Sequence, residues 1–148
     1  MNAVFVDTGG WMACADQADP AHSACAAARD ATLEGGRTLI TTDFVVDETL
    51  TLIRFRLGLA AAYAWWQQID RSARLRWERV ESDRFQRAWN LFFQYRDKDV
   101  SFADCTSIAV MRELKLTTVI TTDRHFHQVG FDVLPATRPR RARKPRRS

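Results

Sequence analysis

Short apolar runs alternate along this chain with longer stretches of helical periodicity. Ala3-Val4-Phe5-Val6 is unbroken and apolar, the pattern of a strand buried on both faces. Asp7-Thr8-Gly9-Gly10 reads as a turn. A helical stretch follows, interrupted around Asp19-Pro20, resuming from His22 to Leu33 and stopped by Gly35-Gly36. Thr38-Leu39-Ile40 is a second short strand, and Thr42 or Asp43 can cap a helix from Phe44 to about Leu57, ended by Gly58. A helix rich in Ala and Trp runs from Leu59 to Ile69, and Leu75 to Val80 reads as a strand. Ser82 can cap a helix to about Tyr95, residues 96–100 form a polar loop, and Ser101 opens a helix to about Leu114. Thr118 to Thr121 and Phe131 to Leu134 are the last strands. Short apolar strands alternating with helices predict an α/β fold, a parallel sheet covered on both faces.

Charge divides the chain differently. Seven cations, Arg138, Arg140, Arg141, Arg143, Lys144, Arg146 and Arg147, crowd the last eleven residues with no acid among them. The chain's net +4 therefore leaves residues 1–137 at −3. A domain over 1–135 followed by a basic segment over 136–148 is expected. Pro139 and Pro145 deny that segment a continuous helix, and it lacks apolar residues to bury, so it is expected to be disordered and to contact a polyanion such as RNA. The three cysteines, Cys14, Cys25 and Cys105, are odd in number and lack CxxC spacing, which argues against a disulfide framework or a zinc site. No apolar run approaches the roughly 20 residues of a membrane span, and no signal peptide is visible. A cytoplasmic protein with no membrane partner is expected.

The candidate chemistry is acidic. Asp7 and Asp123 each follow a predicted strand, and ligands of open parallel sheets bind at the carboxyl ends of strands. Glu48 lies in the helix after the second strand, and Asp104 lies in the first turn of the helix opened by Ser101. Asp97 and Asp99 precede that helix, Asp99 being the better outside candidate for a ligand. Clustered carboxylates repel one another unless a cation neutralises them, and hard oxygen donors select magnesium or manganese over zinc. Each acid also has a plainer role: Asp7 in a turn, Glu48 on a solvated helix face, Asp104 in a capping box with Ser101, Asp123 capping a helical turn at Arg124 to His127.

Four segments in order carry a family resemblance: Val4-Phe5-Val6-Asp7-Thr8, Thr41-Thr42-Asp43-Phe44-Val45-Val46-Asp47-Glu48-Thr49-Leu50, Asp97-Lys98-Asp99-Val100-Ser101-Phe102-Ala103-Asp104-Cys105, and Thr121-Thr122-Asp123-Arg124-His125-Phe126. The chain resembles PIN-domain nucleases and, among them, VapC-type toxins. The resemblance implies a three-layer α/β/α sandwich with a central parallel sheet of about four or five short strands. It implies that Asp7, Glu48, Asp104 and Asp123 form a catalytic set holding one or two magnesium or manganese ions, supported by the hydroxyls of Thr8 or Thr121. It further implies an endoribonuclease leaving 5′-phosphate and 3′-hydroxyl ends, a toxin of a type II toxin–antitoxin system, restrained by a small antitoxin and often homodimeric. Two positions depart from the family pattern: Gly9-Gly10 stand where another small polar residue is common, and Ala103 stands where a Thr often precedes the third acid. The basic terminus is not a usual family feature.

Other readings stay open. An aspartyl-phosphatase would want a second acid two residues after Asp7, and position 9 is Gly. A non-catalytic PIN-like nucleic-acid-binding or regulatory module is the alternative to an enzyme. His22, His125 and His127 show no nucleophile–base spacing. The five Trp and nine Phe are expected mostly in the core, with Phe55, Trp65 and Trp66 either core or a groove for an antitoxin helix. Arg54, Arg56, Arg71, Arg74 and Arg76 could contact phosphate, with solvated helix faces as the default reading.

Overall fold

The computed structural model describes residues 2–136. The basic segment expected to be disordered and to bind RNA, Arg138 to Ser148, lies outside them. Five strands form one sheet: β1 (Ala3–Val6), β2 (Thr38–Thr42), β3 (Leu75–Glu78), β4 (Thr118–Ile120) and β5 (Asp132–Leu134). Their order is β3-β2-β1-β4-β5, and every neighbouring pair is parallel. Phe5 pairs with Ile40 on one side and with Val119 on the other, which makes β1 the central strand.

Parallel pairing demands helical crossovers. Helices α1 (Thr8–Ala15) and α2 (His22–Glu34) join β1 to β2, and α3 (Asp43–Leu57) and α4 (Leu59–Arg71) join β2 to β3. Helices α5 (Ser82–Gln94) and α6 (Phe102–Glu113) carry the chain back across the sheet to β4, and α7 (His125–Gln128) leads to β5. Because such crossovers are right-handed, reversing direction after β3 moves the later helices to the opposite face. The three-layer α/β/α sandwich implied by the sequence is the result. Strand side chains Val4, Phe5, Val6, Ile40, Val119 and Ile120 are sealed against Ile53, Ile108, Val110, Met111 and Phe126 of the helices. Among the described residues no helix is long and apolar enough to cross a membrane, and the three cysteines are free thiols, Cys25 and Cys105 within the core.

Three local expectations are corrected. Asp7 to Gly10 is not a turn: the helix begins at Thr8, with Asp7 at its N-cap position. Gly9 and Gly10 lower helix propensity, but tertiary packing requires them. A Cβ on Gly10 would stand 2.3 Å from the carbonyl oxygen of Ile120, and one on Gly9 would stand 2.5 Å from the Thr122 hydroxyl. The strand after α4 ends at Glu78, two residues early. Helix α5 is preceded by Glu81, which makes no side-chain capping bond, so Ser82 is its first residue rather than its cap. Two other caps are as expected: Thr42 accepts from the Val45 amide at 3.2 Å, and Ser101 opens α6. Asp43 serves a different purpose, accepting from the Val80 amide at 2.9 Å and tying the end of β3 to α3.

Candidate functional site

The strand order reverses at β1. After β1 the chain moves outward through β2 and β3, and it returns on the other side of β1 as β4. The loops leaving β1 and β4 therefore part from each other and open a crevice at their carboxyl ends. Asp7 leaves β1 and Asp123 lies just beyond β4, so both occupy that crevice. The absence of Cβ atoms at Gly9 and Gly10 lets α1 approach the end of β4 closely.

Thr121 links the two acids. Its hydroxyl donates to Asp7 Oδ2 at 3.4 Å, a long contact, and accepts from the Asp123 amide at 3.0 Å. A second hydroxyl relay braces the strand ends: Trp11 Nε1 donates to Thr41 Oγ1, which donates to the carbonyl of Val6, each at 3.2 Å. Asp7 makes no side-chain capping bond to α1 beyond its contact with the Thr8 backbone, and the other acids of the crevice act on its carboxyl. Thr8 Oγ1 is buried with no hydrogen-bond partner.

Electrostatics shows which acids belong together. Asp7 is only 5% exposed. Burial pushes its carboxyl up to about 8, and the negative charges of Asp104, Glu48 and Asp123 push the same way against a bond from the Thr8 backbone. Burial also raises the Asp104 carboxyl, with Asp123 and Glu48 adding to it, while the bonds with Ser101 oppose the rise. The other three predicted acids thus act on Asp7, and Asp123 and Glu48 act on Asp104 as well. Asp99 is exposed and is not among the principal charges on Asp7 or Asp104. Asp97 is an exposed loop acid paired with Lys98 at 3.6 Å.

The plainer roles of two of these acids are realised as well. Asp104 completes a capping box: Oδ2 accepts from the Ser101 amide, and Ser101 Oγ accepts from the Asp104 amide, both at 3.0 Å. Asp123 Oδ1 accepts from the His125 amide at 2.9 Å and lies 2.6 Å from His125 Nδ1. Among the described residues no three acidic, histidine or cysteine side chains stand close enough together to form a finished ligand set. The donor chemistry nevertheless fits a hard divalent cation. The four carboxylates offer oxygen donors, and no cation is among the principal charges on Asp7 or Asp104. A carboxylate has about four acceptor sites, so one backbone bond does not exhaust it.

A family profile described as the PIN domain matches residues 4–132, nearly the whole of this architecture. The chain belongs to the PIN-domain family. Its PIN domain is 32% identical over 128 residues to the 23S rRNA-specific endonuclease VapC20 of Mycobacterium tuberculosis, covering 86% of this chain and 95% of that protein. It is 25% identical over 126 residues to the ribonuclease VapC26 of the same organism, covering 83% and 89%. The crystal structure of VapC20, described as a sarcin–ricin loop cleaving toxin, superposes with a TM-score of 0.77 at 31% identity over 86% of this chain and 95% of that one. The VapBC2 structure from Rickettsia felis shares the fold, with a TM-score of 0.66 at 9% identity over 88% and 96% of the two chains.

Sequence reasoning missed several contributors to this PIN domain. It did not anticipate the close approach at Gly9 and Gly10, for which the adjacent pair after a strand was the available signal. It placed most aromatics in the core, and Trp11 and Trp65 are there; Phe55, left open between core and groove, is 82% exposed, and Trp89 and Phe93 are about half exposed. The spacing of Phe85, Trp89, Phe92 and Phe93 at one helical face was the clue. His22 Nδ1 donates to the Ala13 carbonyl, 2.8 Å away, a structural contact. The arginines read as solvated faces are exposed, and of these Arg74 donates to the Arg37 carbonyl at 2.7 Å and Arg76 pairs with Glu78.

Proposed function

We propose that this PIN domain is an endoribonuclease that depends on magnesium or manganese, and that it is the toxin of a type II toxin–antitoxin pair. One observation carries the reading: four carboxylates face one crevice at the reversal of the sheet, and burial plus mutual repulsion push the deepest of them up to about 8. Such a cluster costs stability and repels an RNA phosphate unless a cation joins it. Asp7, Glu48, Asp104 and Asp123 would hold one or two divalent ions, with Asp99 as an outer candidate. When bound, the ions supply charge that lowers the pKa of water and stabilises the anionic phosphorus centre.

The chain's own groups set the conditions for that step. Thr121 fixes Asp7 relative to Asp123 through its two bonds. Burial and the neighbouring acids favour the protonated form of Asp7, and a bound cation would favour its carboxylate. The capping box fixes Asp104 at the start of α6. Gly9 and Gly10 keep the crevice narrow.

The identity to VapC20, named a 23S rRNA-specific endonuclease, makes ribosomal RNA the first substrate to test. The restraining partner would be a small antitoxin, with the exposed Phe55, Leu59 and Tyr63 of the α3–α4 hairpin offering an apolar surface. A homodimer in the cytoplasm completes the proposal. The test incubates the purified full chain with ribosomal RNA and magnesium or manganese, with and without chelator. Cleavage that chelator abolishes is expected. Undiminished cleavage in chelator contradicts the metal dependence, and harmless expression of an active enzyme contradicts the toxin role.

A further inference from the structure

Six aromatic rings form a continuous chain from the acidic crevice to the surface of α5. Phe44 lies one helical turn before Glu48 on α3, on the same face, and Phe102 opens α6 two residues before Asp104. Their ring centroids are 6.4 Å apart, and Phe85 of α5 joins them at 6.3 Å and 5.0 Å. The chain continues from Phe102 to Phe92 at 5.8 Å, to Phe93 at 6.0 Å and to Trp89 at 4.9 Å. Helix α5 buries Ala88 and half-buries Leu91 and Tyr95, while Phe85, Trp89, Phe92 and Phe93 are 37–50% exposed.

We propose that this α5 face is a stacking platform for unpaired RNA bases next to the cleaved bond. The inference rests on the ribonuclease reading and adds to it how the substrate is gripped. An RNA with a phosphate at the carboxylates must lay its neighbouring nucleotides over an adjoining surface, and the rings begin at that edge of the crevice. The exposed members are all aromatic, with no aliphatic side chain among them. Each offers a π face of the kind on which any base stacks. No two of the rings stack in parallel: the interplanar angles run from 51° to 86°. At the outer end Arg96 is exposed and anchored by Nη1 to the Phe93 carbonyl at 3.1 Å, a cation placed for a phosphate of the same strand.

The experiment is a cycle of protein and RNA changes on the full-length chain. The probe is a single-stranded oligoribonucleotide containing a bond that the wild-type chain cuts, with abasic sites placed one at a time beside that bond. Trp89→Leu and Phe92→Leu keep apolar bulk and remove the ring. Each is expected to raise KM by about 5- to 100-fold, the range for a lost base stack, with kcat little changed. An abasic site at the stacked position is expected to weaken wild-type binding similarly and to add little to the matching variant. Sedimentation is expected to give the same mass for wild type and variants. Equal KM for wild type, variants and abasic substrates overturns the platform while leaving cleavage intact. Loss of affinity that tracks dissociation of an assembly also overturns it, in favour of a protein partner on this face. A wild-type chain that cuts no RNA overturns both readings. The abasic series on wild type decides the question even if a variant misfolds.

Discussion

Two buried carboxylates in this molecule meet opposite fates. Glu78, at the end of β3, is 7% exposed, and Asp7, at the end of β1, is 5% exposed. Glu78 is enclosed by cations: Arg76 lies at 2.6 Å and Arg84 at 2.7 Å. Arg84 also bonds Glu113, which Arg87 meets at 3.1 Å. Asp7 is enclosed by acids. The same strand-end position therefore yields a carboxylate paired with arginines in one place and a carboxyl whose principal charged neighbours are acids in the other. A buried charge must be paired. At Glu78 the chain supplies the partner, and in the proposed function a cation would supply it at Asp7.

The largest effect that would sharpen this contrast is on catalysis. Asp7→Asn or Asp104→Asn is expected to lower RNA cleavage by at least about 100-fold while circular dichroism stays native, the scale for losing an ion contact or its orientation. Glu78→Gln is expected to leave the kcat of the remaining folded protein within a few-fold of wild type. Equal losses at the two positions would erase the distinction.

The next effect is on stability. Glu78→Gln leaves Arg76 and Arg84 without their carboxylate, in a network part-exposed to water, and is expected to cost about 2 kcal/mol, or about 4–8 °C in Tm. Asp7→Asn has the opposite sign in metal-free protein at pH 8, because it removes a buried acid that resists ionisation. A rise of at least about 3 °C in Tm is expected.

The pH dependence follows from the direction of the Asp7 shift. Its folded pKa, about 8, lies above its ordinary 3.8, so the native state binds a proton that the unfolded chain releases. The contribution is fully present below about pH 4 and is lost as the pH rises through about 8. Thermal melts of metal-free protein are expected to show this loss between pH 5 and pH 8.5, and Asp7→Asn to flatten it. A wild-type curve no steeper than that of the variant would contradict the assignment.

The smallest effect is at Thr121. Thr121→Val keeps the shape and removes the hydroxyl shared by Asp7 and Asp123. Cleavage is expected to fall about 10-fold, at the low end for loss of a group that orients a ligand. An unchanged rate would make Thr121 a packing residue only.

The alternation of apolar runs and helical stretches made the strands legible, most plainly β1, whose burial on both faces leaves a continuous apolar signature. Capping chemistry made the starts of α3 and α6 legible through Thr42 and Ser101. The start of α1 was not legible. Gly9-Gly10 has turn chemistry locally, and only the approach of Ile120 and Thr122 from more than 100 residues away explains why glycine sits in a helix. The four acids could be singled out by their positions after strands and in helix turns, but their mutual repulsion is a property of the folded crevice. The α5 aromatics were misplaced for a related reason. Periodicity shows that Phe85, Trp89, Phe92 and Phe93 share a face, and it cannot show that α5 packs through Ala88, Leu91 and Tyr95 instead.

The central claim is that the Asp7 cluster takes up a divalent cation and the Glu78 network does not. It is tested most directly by thermal melts with manganese, which need no knowledge of the RNA. At pH 8 and an ion concentration about 100 times Kd, wild-type protein is expected to gain about 2.7 kcal/mol, or roughly 5–11 °C. Glu78→Gln is expected to gain as much from its lower baseline, and Asp7→Asn to gain little. A manganese shift that persists in Asp7→Asn, or one that disappears in Glu78→Gln, would contradict the account.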